Sequence, residues 1–107
     1  MTKEFKDMKG VIAIATTPFN NENLIDFESV DRLSNYYIES KVSGVTILGV
    51  MGEAHKLNIE EQKTLIKRYV NNLINSVPVI VGVSNAGLDN LELLSKFSMD
   101  SGASGVM

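Results

Sequence analysis

The chain repeats one pattern: a short apolar run, a polar loop, and then apolar residues at helical spacing. The runs begin near Val11, Val45 and Val79, about one βαβ unit of roughly 30 residues apart. A further run at residues 104–107 predicts the start of a fourth strand. Short apolar strands that alternate with amphipathic helices pair in parallel under a cover of helices. The sequence therefore predicts an α/β fold, β-α-β-α-β-α-β, with parallel strands.

The predicted strands span residues 10–15, 45–48 and 78–83, and the first is expected to be buried on both faces. Asp26 is the predicted N-cap of the first helix, and Asn58 with Glu61 forms a variant capping box for the second. Gly102 is expected to end the third helix. The predicted apolar faces are Phe27, Val30, Leu33 and Tyr37 in the first helix, Leu65, Ile66, Tyr69 and Leu73 in the second, and Leu91, Leu94 and Phe97 in the third.

Two architectures fit this pattern, a small doubly wound sheet and the first half of an eight-stranded (β/α) barrel. A complete doubly wound domain usually closes with a helix over its last strand, whereas Val106 and Met107 are left uncovered. This favours the first half of a (β/α)8 TIM barrel. Residues 1–107 are then the N-terminal part of a single TIM-barrel domain, truncated after the start of strand 4.

Composition limits the function classes. The 107 residues suffice for at most one domain, and the net charge of −3 with scattered lysines argues against a nucleic-acid partner. There is no cysteine, which excludes a disulfide framework and a thiolate metal site. Residues 1–9 are polar, unlike a signal peptide, and no apolar run reaches the roughly 20 residues of a membrane span. We expect a soluble, cytoplasmic chain with no membrane partner.

Ligands of such folds gather at the carboxyl ends of the strands. This rule selects residues 16–19, residues 49–53 and the pair Ser84 and Asn85. Hydroxyl groups and backbone N–H groups at one edge suit a small oxygen-rich anion such as a carboxylate. The competing interpretation is structural, because threonine can simply end a strand and glycine serves tight turns everywhere.

Single residues near this edge allow two interpretations. Glu53 is either a buried carboxylate that organises a site or an acid placed before a helix by the helix dipole. His55 is the only histidine, which favours a loop or interface role over a metal site or a catalytic dyad. The tyrosines Tyr36, Tyr37 and Tyr69 fall in helices, where packing is expected.

Lysine is missing from the strand ends, although Schiff-base chemistry needs a desolvated amine. Lys56, beside the second loop, is only a weak candidate. The lysines predicted to lie elsewhere are Lys3, Lys6, Lys9, Lys41, Lys63, Lys67 and Lys96.

Taken together, these motifs resemble those of the dihydrodipicolinate synthase and N-acetylneuraminate lyase family. The resemblance runs from about residue 10 to residue 107. It implies a (β/α)8 barrel, usually a homotetramer, that joins or cleaves a 2-oxo acid such as pyruvate through a Schiff-base lysine, with no cofactor expected. The motifs, in family order, are Thr17-Pro18-Phe19, Ile25-Asp26, Gly44-Val45, Gly49-x-x-Gly52-Glu53, Pro78-Val79-Ile80-Val81-Gly82 and Gly102-Ala103-Ser104-Gly105-Val106.

The resemblance also implies site residues. In the family, threonine or serine at two positions of the second loop holds the carboxylate, and Val50 and Met51 occupy those positions here. This departure favours a different 2-oxo acid or a changed binding mode over dihydrodipicolinate synthesis as such. The predicted substrate-binding residues are Thr17, Gly49, Val50, Met51, Gly52 and Glu53.

The family's catalytic lysine and its partner tyrosine lie beyond Met107, so we expect no catalytic residue in this chain and no activity from it alone. An aldolase-type lyase and a dehydratase of sugar-acid derivatives are both compatible with the intact form. A non-catalytic half-barrel module that pairs through its exposed edge at residues 104–107 is the alternative. A response-regulator-like domain ranks last, because Thr16 and Thr17 stand where it needs acidic residues.

Overall fold

The structure, a computed structural model, describes residues 9–107, which form four strands and three α-helices in strict alternation. A single 3₁₀ turn, Ala54–Lys56, precedes the second α-helix. The predictions for Lys3 and Lys6 and for a polar N-terminus fall largely on the preceding segment, outside the described residues. The elements are β1 Ile12–Ile14, α1 Phe27–Glu39, β2 Gly44–Ile47, α2 Ile59–Leu73, β3 Val79–Val81, α3 Leu88–Ser101 and β4 Gly105–Val106.

The strands lie in the sheet in their sequence order, β1-β2-β3-β4, and every neighbouring pair is parallel. Because parallel crossovers are right-handed, an unbroken order places every connecting helix on the same face of the sheet. A doubly wound sheet would instead reverse its strand order at a switch point. Helix α2 packs between α1 and α3, and the extents of 32 × 31 × 20 Å fit one sheet and one helix layer. The arrangement is that of four consecutive strands of a (β/α)8 barrel.

The core lies between the sheet and the helices. One face of the sheet directs Val45, Ile47, Val79 and Val81 towards the helices, where they are buried. The buried residues of α2 that meet them are Leu65, Ile66, Tyr69, Val70 and Leu73.

The prediction that β1 is buried on both faces is wrong, because its residues on the opposite face of the sheet are exposed. Ile12 and Ile14 share this face with Thr46 and Ile80, and they are 39% and 53% exposed. The reason is position, because β1 is an edge strand of the described sheet and no described helix covers this face. Strand β1 is also shorter than the predicted segment 10–15.

The helix starts agree with the prediction. The carboxylate of Asp26 accepts a hydrogen bond from the Ser29 N–H at 3.2 Å and caps α1. The Asn58 side chain accepts from the Glu61 N–H at 2.8 Å, while Glu61 accepts from the Asn58 N–H at 3.0 Å. This reciprocal pair is the predicted capping box, and it fixes the first residue of α2.

The ends of the elements show both agreement and correction. Gly102 ends α3 in the left-handed conformation, with φ of 111°, as expected for a C-terminal glycine. Leu94 is fully buried, but Leu91 is 37% exposed because no described helix flanks the outer side of α3. Strand β2 ends at Ile47, one residue earlier than predicted, since Leu48 has a φ of 56° that breaks the extended backbone.

Candidate functional site

The three predicted loops lie at one edge of the sheet, where the carboxyl ends of the strands meet; we call this edge the rim. The Thr17 hydroxyl donates a hydrogen bond to the Gly52 carbonyl at 2.6 Å, which joins the first loop to the second. Gly49 and Val50 of the second loop and Ser84 of the third line one cavity, so these two loops also lie side by side. The expected convergence of the three segments is therefore present.

The second rim loop, residues 48–57, is held from both sides. Leu48 and Glu53 both adopt left-handed backbone conformations, with φ of 56° and 55°. Such conformations cost free energy in non-glycine residues and are frequent at ligand sites. The Gln62 amide donates to the carbonyls of Ala54 and Leu57, at 3.1 Å each, and anchors the end of the loop to α2.

The glycines of the rim serve different purposes. A Cβ at Gly82 would collide with the carbonyl oxygen of Leu48, and one at Gly52 would lie 3.0 Å from the Leu48 nitrogen. Both residues are therefore glycine for steric reasons inside the fold. A Cβ at Gly49 would meet no atom within 4 Å in the described part of the chain, and its φ is not in the left-handed region. Gly49 leaves its main chain open to an approaching ligand.

The tip of the second rim loop exposes Val50 and Met51, whose accessible fractions are 88% and 60%. Among the described residues, none accepts a hydrogen bond from the N–H of either residue. Two neighbouring N–H groups without acceptors can bind an anion. A carboxylate held here would be bound by main-chain groups, because these two side chains offer no hydroxyl.

A shallow cavity of about 210 Å³ lies beside this tip. It joins the second rim loop to the third and to the end of β4. Its lining is mostly apolar, with Ser84 and His55 as the polar side chains. The lining residues are Leu48, Gly49, Val50, Ala54, His55, Gly82, Ser84 and Met107.

The structure corrects the interpretation of Glu53 as a buried carboxylate. Its Oε1 lies 2.6 Å from the Nζ of Lys56, and the two side chains are 37% and 59% exposed. The hydrogen bond and the positive charge of Lys56 lower the pKa of Glu53. The alternative interpretation, an acid placed before a helix by the helix dipole, is not confirmed either. Glu53 precedes the short 3₁₀ turn, and its side chain makes no capping hydrogen bond there.

Lys56 does not have the surroundings of a Schiff-base amine. Its ammonium group is exposed and paired with Glu53, whereas a nucleophilic lysine must be desolvated or have a depressed pKa. His55 is exposed in the 3₁₀ turn, as expected for a loop histidine. Within residues 9–107, no group of three or more histidine, cysteine, aspartate or glutamate side chains is placed to hold a metal ion.

Two residues of α2 that support the rim were not predicted to do so. The Tyr69 hydroxyl donates a hydrogen bond to the Thr16 carbonyl at 2.9 Å, and burial raises its pKa. Gln62 anchors the second rim loop as described. The sequence feature that could have identified these two residues is a polar group on the apolar face of α2, because Gln62 and Tyr69 are both among the buried residues of that helix. Tyr37 is buried as expected, whereas Tyr36 is exposed, contrary to the packing predicted for it.

Comparison with known proteins gives a consistent result. The model of the dihydrodipicolinate synthetase family matches residues 7–107. The 4-hydroxy-tetrahydrodipicolinate synthase of Methanocaldococcus jannaschii is 35% identical over 99 residues, which cover 92% of this chain and 34% of that protein.

Solved structures agree with the sequence relatives. Dihydrodipicolinate synthase from Rhodopseudomonas palustris superimposes with a TM-score of 0.91 and 41% identity, over 100% of this chain and 35% of that one. YagE, an E. coli K12 protein of the dihydrodipicolinic acid synthase family solved in complex with pyruvate, gives 0.87 and 27%, over 91% and 33%.

The chain spans about a third of the length of these relatives. Among the helices of residues 9–107, none has the length and apolar character needed to cross a membrane. The family match covers nearly all of the chain, and the strand order agrees with the barrel of the solved relatives. The chain belongs to the dihydrodipicolinate synthetase family.

Proposed function

We propose that this chain is the first four strands of an eight-stranded barrel lyase, which acts on a 2-oxo acid such as pyruvate. Family membership supports this proposal. Within the chain itself, the strongest support comes from the tip of the second rim loop. There, two unbonded N–H groups lie at the edge where barrel enzymes bind their ligands. Pyruvate is bound in the solved structure of YagE, which has the same fold over this region.

The site residues divide into two groups in this proposal. The N–H groups of Val50 and Met51 receive the substrate carboxylate, and Gly49 lets it approach the main chain. Thr17 and Gly52 hold the loop in place through their 2.6 Å hydrogen bond. Glu53 belongs to the second group, since its left-handed backbone and its pairing with Lys56 shape the end of the loop.

The reactive amine is proposed to lie beyond Met107. Its nitrogen attacks the C2 carbonyl of the oxo acid, water leaves, and a protonated imine forms. This cation accepts the electron pair of a bond broken next to it, which permits carbon–carbon cleavage or formation, and equally a loss of water. The exposed, ion-paired state of Lys56 supports this placement of the amine.

The test is reductive trapping of the intact protein. Borohydride, added with pyruvate or another 2-oxo acid, delivers hydride to the imine and leaves a stable secondary amine. We expect loss of activity and a mass increase equal to the reduced oxo acid on a single lysine downstream of residue 107. The absence of an adduct with each of several 2-oxo acids would contradict the mechanism.

We also propose that the isolated chain is inactive, which its span of about a third of the length of its relatives supports. Family membership supports a further part of the proposal, that the intact enzyme assembles as a homotetramer in the cytoplasm. The reading frame after residue 107 tests the first point. A lysine on a strand about two βα units further, with a tyrosine one unit before it, is expected. A native gene that ended at Met107 would contradict the proposal.

A non-catalytic half-barrel module remains the alternative function. It is favoured by the uncovered sheet face, on which Ile12 and Ile14 are exposed. It is also favoured by the outer edges of β1 and β4, which pair with no other strand of residues 9–107. Unpaired strand edges are templates for association with another chain.

A further inference from the structure

Val50 and Met51 are apolar residues whose side chains are mostly exposed in the described structure. Their exposed fractions, 88% and 60%, are among the highest of the large apolar residues. The loop that presents them is fixed by the Thr17–Gly52 hydrogen bond and by the two Gln62 hydrogen bonds. These hydrogen bonds fix the loop backbone on the C-terminal side of the two residues and so hold the tip at the rim.

The cavity beside them has few hydrogen-bonding side chains. Leu48, Val50, Ala54 and Met107 contribute apolar walls, and Gly82 contributes main chain alone. The polar side chains in its lining are Ser84 and His55. A ligand hydroxyl placed against the apolar walls loses its water without gaining a partner. Apolar pockets discriminate against an added hydroxyl by up to about a hundredfold.

The charged end of a ligand meets a different environment. The N–H groups of Val50 and Met51 have no acceptor among the described residues, and Gly49 adds no side chain that would block access to them. The main chain at the tip thus suits the carboxylate. The Val50 side chain lines the cavity and the Met51 side chain lies next to it at the tip, so both offer an apolar surface to a carbon chain.

We propose that Val50 and Met51 determine specificity at this rim by favouring a 2-oxo acid with an aliphatic carbon chain over one that carries hydroxyl groups. This inference rests on the proposed function, because it assumes that a 2-oxo acid binds at the second rim loop. The inference also distinguishes between the two variants of the proposed function. An aldolase-type lyase of an aliphatic oxo acid is favoured, and a dehydratase of polyhydroxylated sugar acids is disfavoured.

The test is a competition between 2-oxobutanoate and 3-hydroxypyruvate, which differ by a methyl group in place of a hydroxyl. The intact protein is incubated with equal concentrations of both, reduced with borohydride, and the two adducts are resolved by the mass of the modified peptide. We expect the 2-oxobutanoate adduct to exceed the other by tenfold or more. In the double variant Val50→Thr, Met51→Thr this ratio should fall by about two- to tenfold for each hydroxyl introduced.

Two control variants separate specificity from general effects. Val50→Ile keeps the apolar surface and should preserve the ratio. Val11→Thr alters an exposed valine that precedes β1, at the opposite edge of the sheet, and should also preserve it. Because Val50 and Met51 are exposed, their substitution should not impair folding.

The outcomes distinguish the two proposals. If neither of these oxo acids nor pyruvate forms an adduct, the proposed function fails, whereas an adduct with pyruvate alone overturns the specificity inference. If both form adducts in equal amount, if 3-hydroxypyruvate is preferred, or if the double variant leaves the ratio unchanged, the specificity inference is overturned while the proposed function stands.

Discussion

At the scale of single residues, the second rim loop depends on atoms that approach its main chain closely. The carbonyl of Leu48 lies where a side chain at Gly82 would begin, and Gly52 fits against the Leu48 backbone and the Ala15 carbonyl. Leu48 itself has an unfavourable left-handed backbone. The loop therefore keeps its shape in part because Gly52 and Gly82 have no side chain, which offsets the unfavourable backbone of Leu48.

A pair of glycine substitutions tests this account. Gly82→Ala should destabilise the intact protein by about 1–3 kcal/mol, since the new methyl group forces the Leu48 carbonyl to move. Gly49→Ala is the matched control, and it should leave stability unchanged or raise it by about 0.4–1 kcal/mol through the unfolded state. Urea unfolding measures both. Equal destabilisation by the two variants would contradict the steric distinction between these glycines.

At the scale of elements, α1 and α2 are joined by a polar network on the outer side of the sheet. The Arg68 guanidinium donates two hydrogen bonds to Asp31, at 2.8 and 2.7 Å. Asn72 donates to Asp31 and to Ser34, at 2.8 and 3.1 Å. Arg68 also lies over the ring of Phe27, 5.5 Å from its centre. The two helices are therefore aligned by directional contacts in addition to apolar packing.

This network predicts a pH dependence of stability. The hydrogen bonds from Arg68 and Asn72 lower the pKa of Asp31 from 3.8 to about 2. Because the folded-state pKa is the lower one, the stabilisation is complete above about pH 4 and is lost as the pH falls towards 2. Both side chains are partly exposed, so the effect should be about 0.2–1 kcal/mol. Thermal unfolding as a function of pH measures it.

The control variants separate charge from geometry. Asp31→Asn should remove the loss of stability between pH 4 and pH 2 that this carboxylate causes. Arg68→Lys keeps the positive charge but not the paired hydrogen bonds, so it should retain only part of that dependence. A profile for Asp31→Asn that runs parallel to that of the unmodified protein would show that the pair contributes nothing.

At the scale of the whole molecule, one face of the sheet is covered by helices and the other is not covered within residues 9–107. The uncovered face bears Ile12 and Ile14, which are exposed. At the β4 edge Val106 is also exposed, although its register with Val81 places it on the face that the helices cover. A parallel sheet is normally covered on both faces. In a closed barrel, the second half of the strands would supply that cover.

The isolated chain should therefore behave differently from the intact enzyme. Size-exclusion chromatography of residues 1–107 is expected to show self-association, because the open face and two strand edges are exposed to other copies. No borohydride adduct with pyruvate is expected on this chain. A compact, stable monomer would weaken the account of an unfinished sheet, and activity of this chain alone would contradict the proposal that the catalytic lysine lies beyond residue 107.

The sequence by itself determined the alternation of strands and helices, the caps at Asp26 and Asn58, and the end of α3 at Gly102. These features depend on neighbouring residues, through hydrophobic periodicity and backbone conformation, and can therefore be predicted locally. The three rim segments also followed from sequence, because parallel strands bring their carboxyl ends to one edge.

Only the tertiary structure decided which residues meet across the chain. It showed that Glu53 pairs with Lys56, that Gln62 and Tyr69 reach the rim from α2, and that Asp31 joins Arg68 across 37 positions. It also distinguished Gly49 from Gly52 and exposed β1 on one face. These outcomes depend on which distant atoms come close together, and neither spacing nor residue type specifies that.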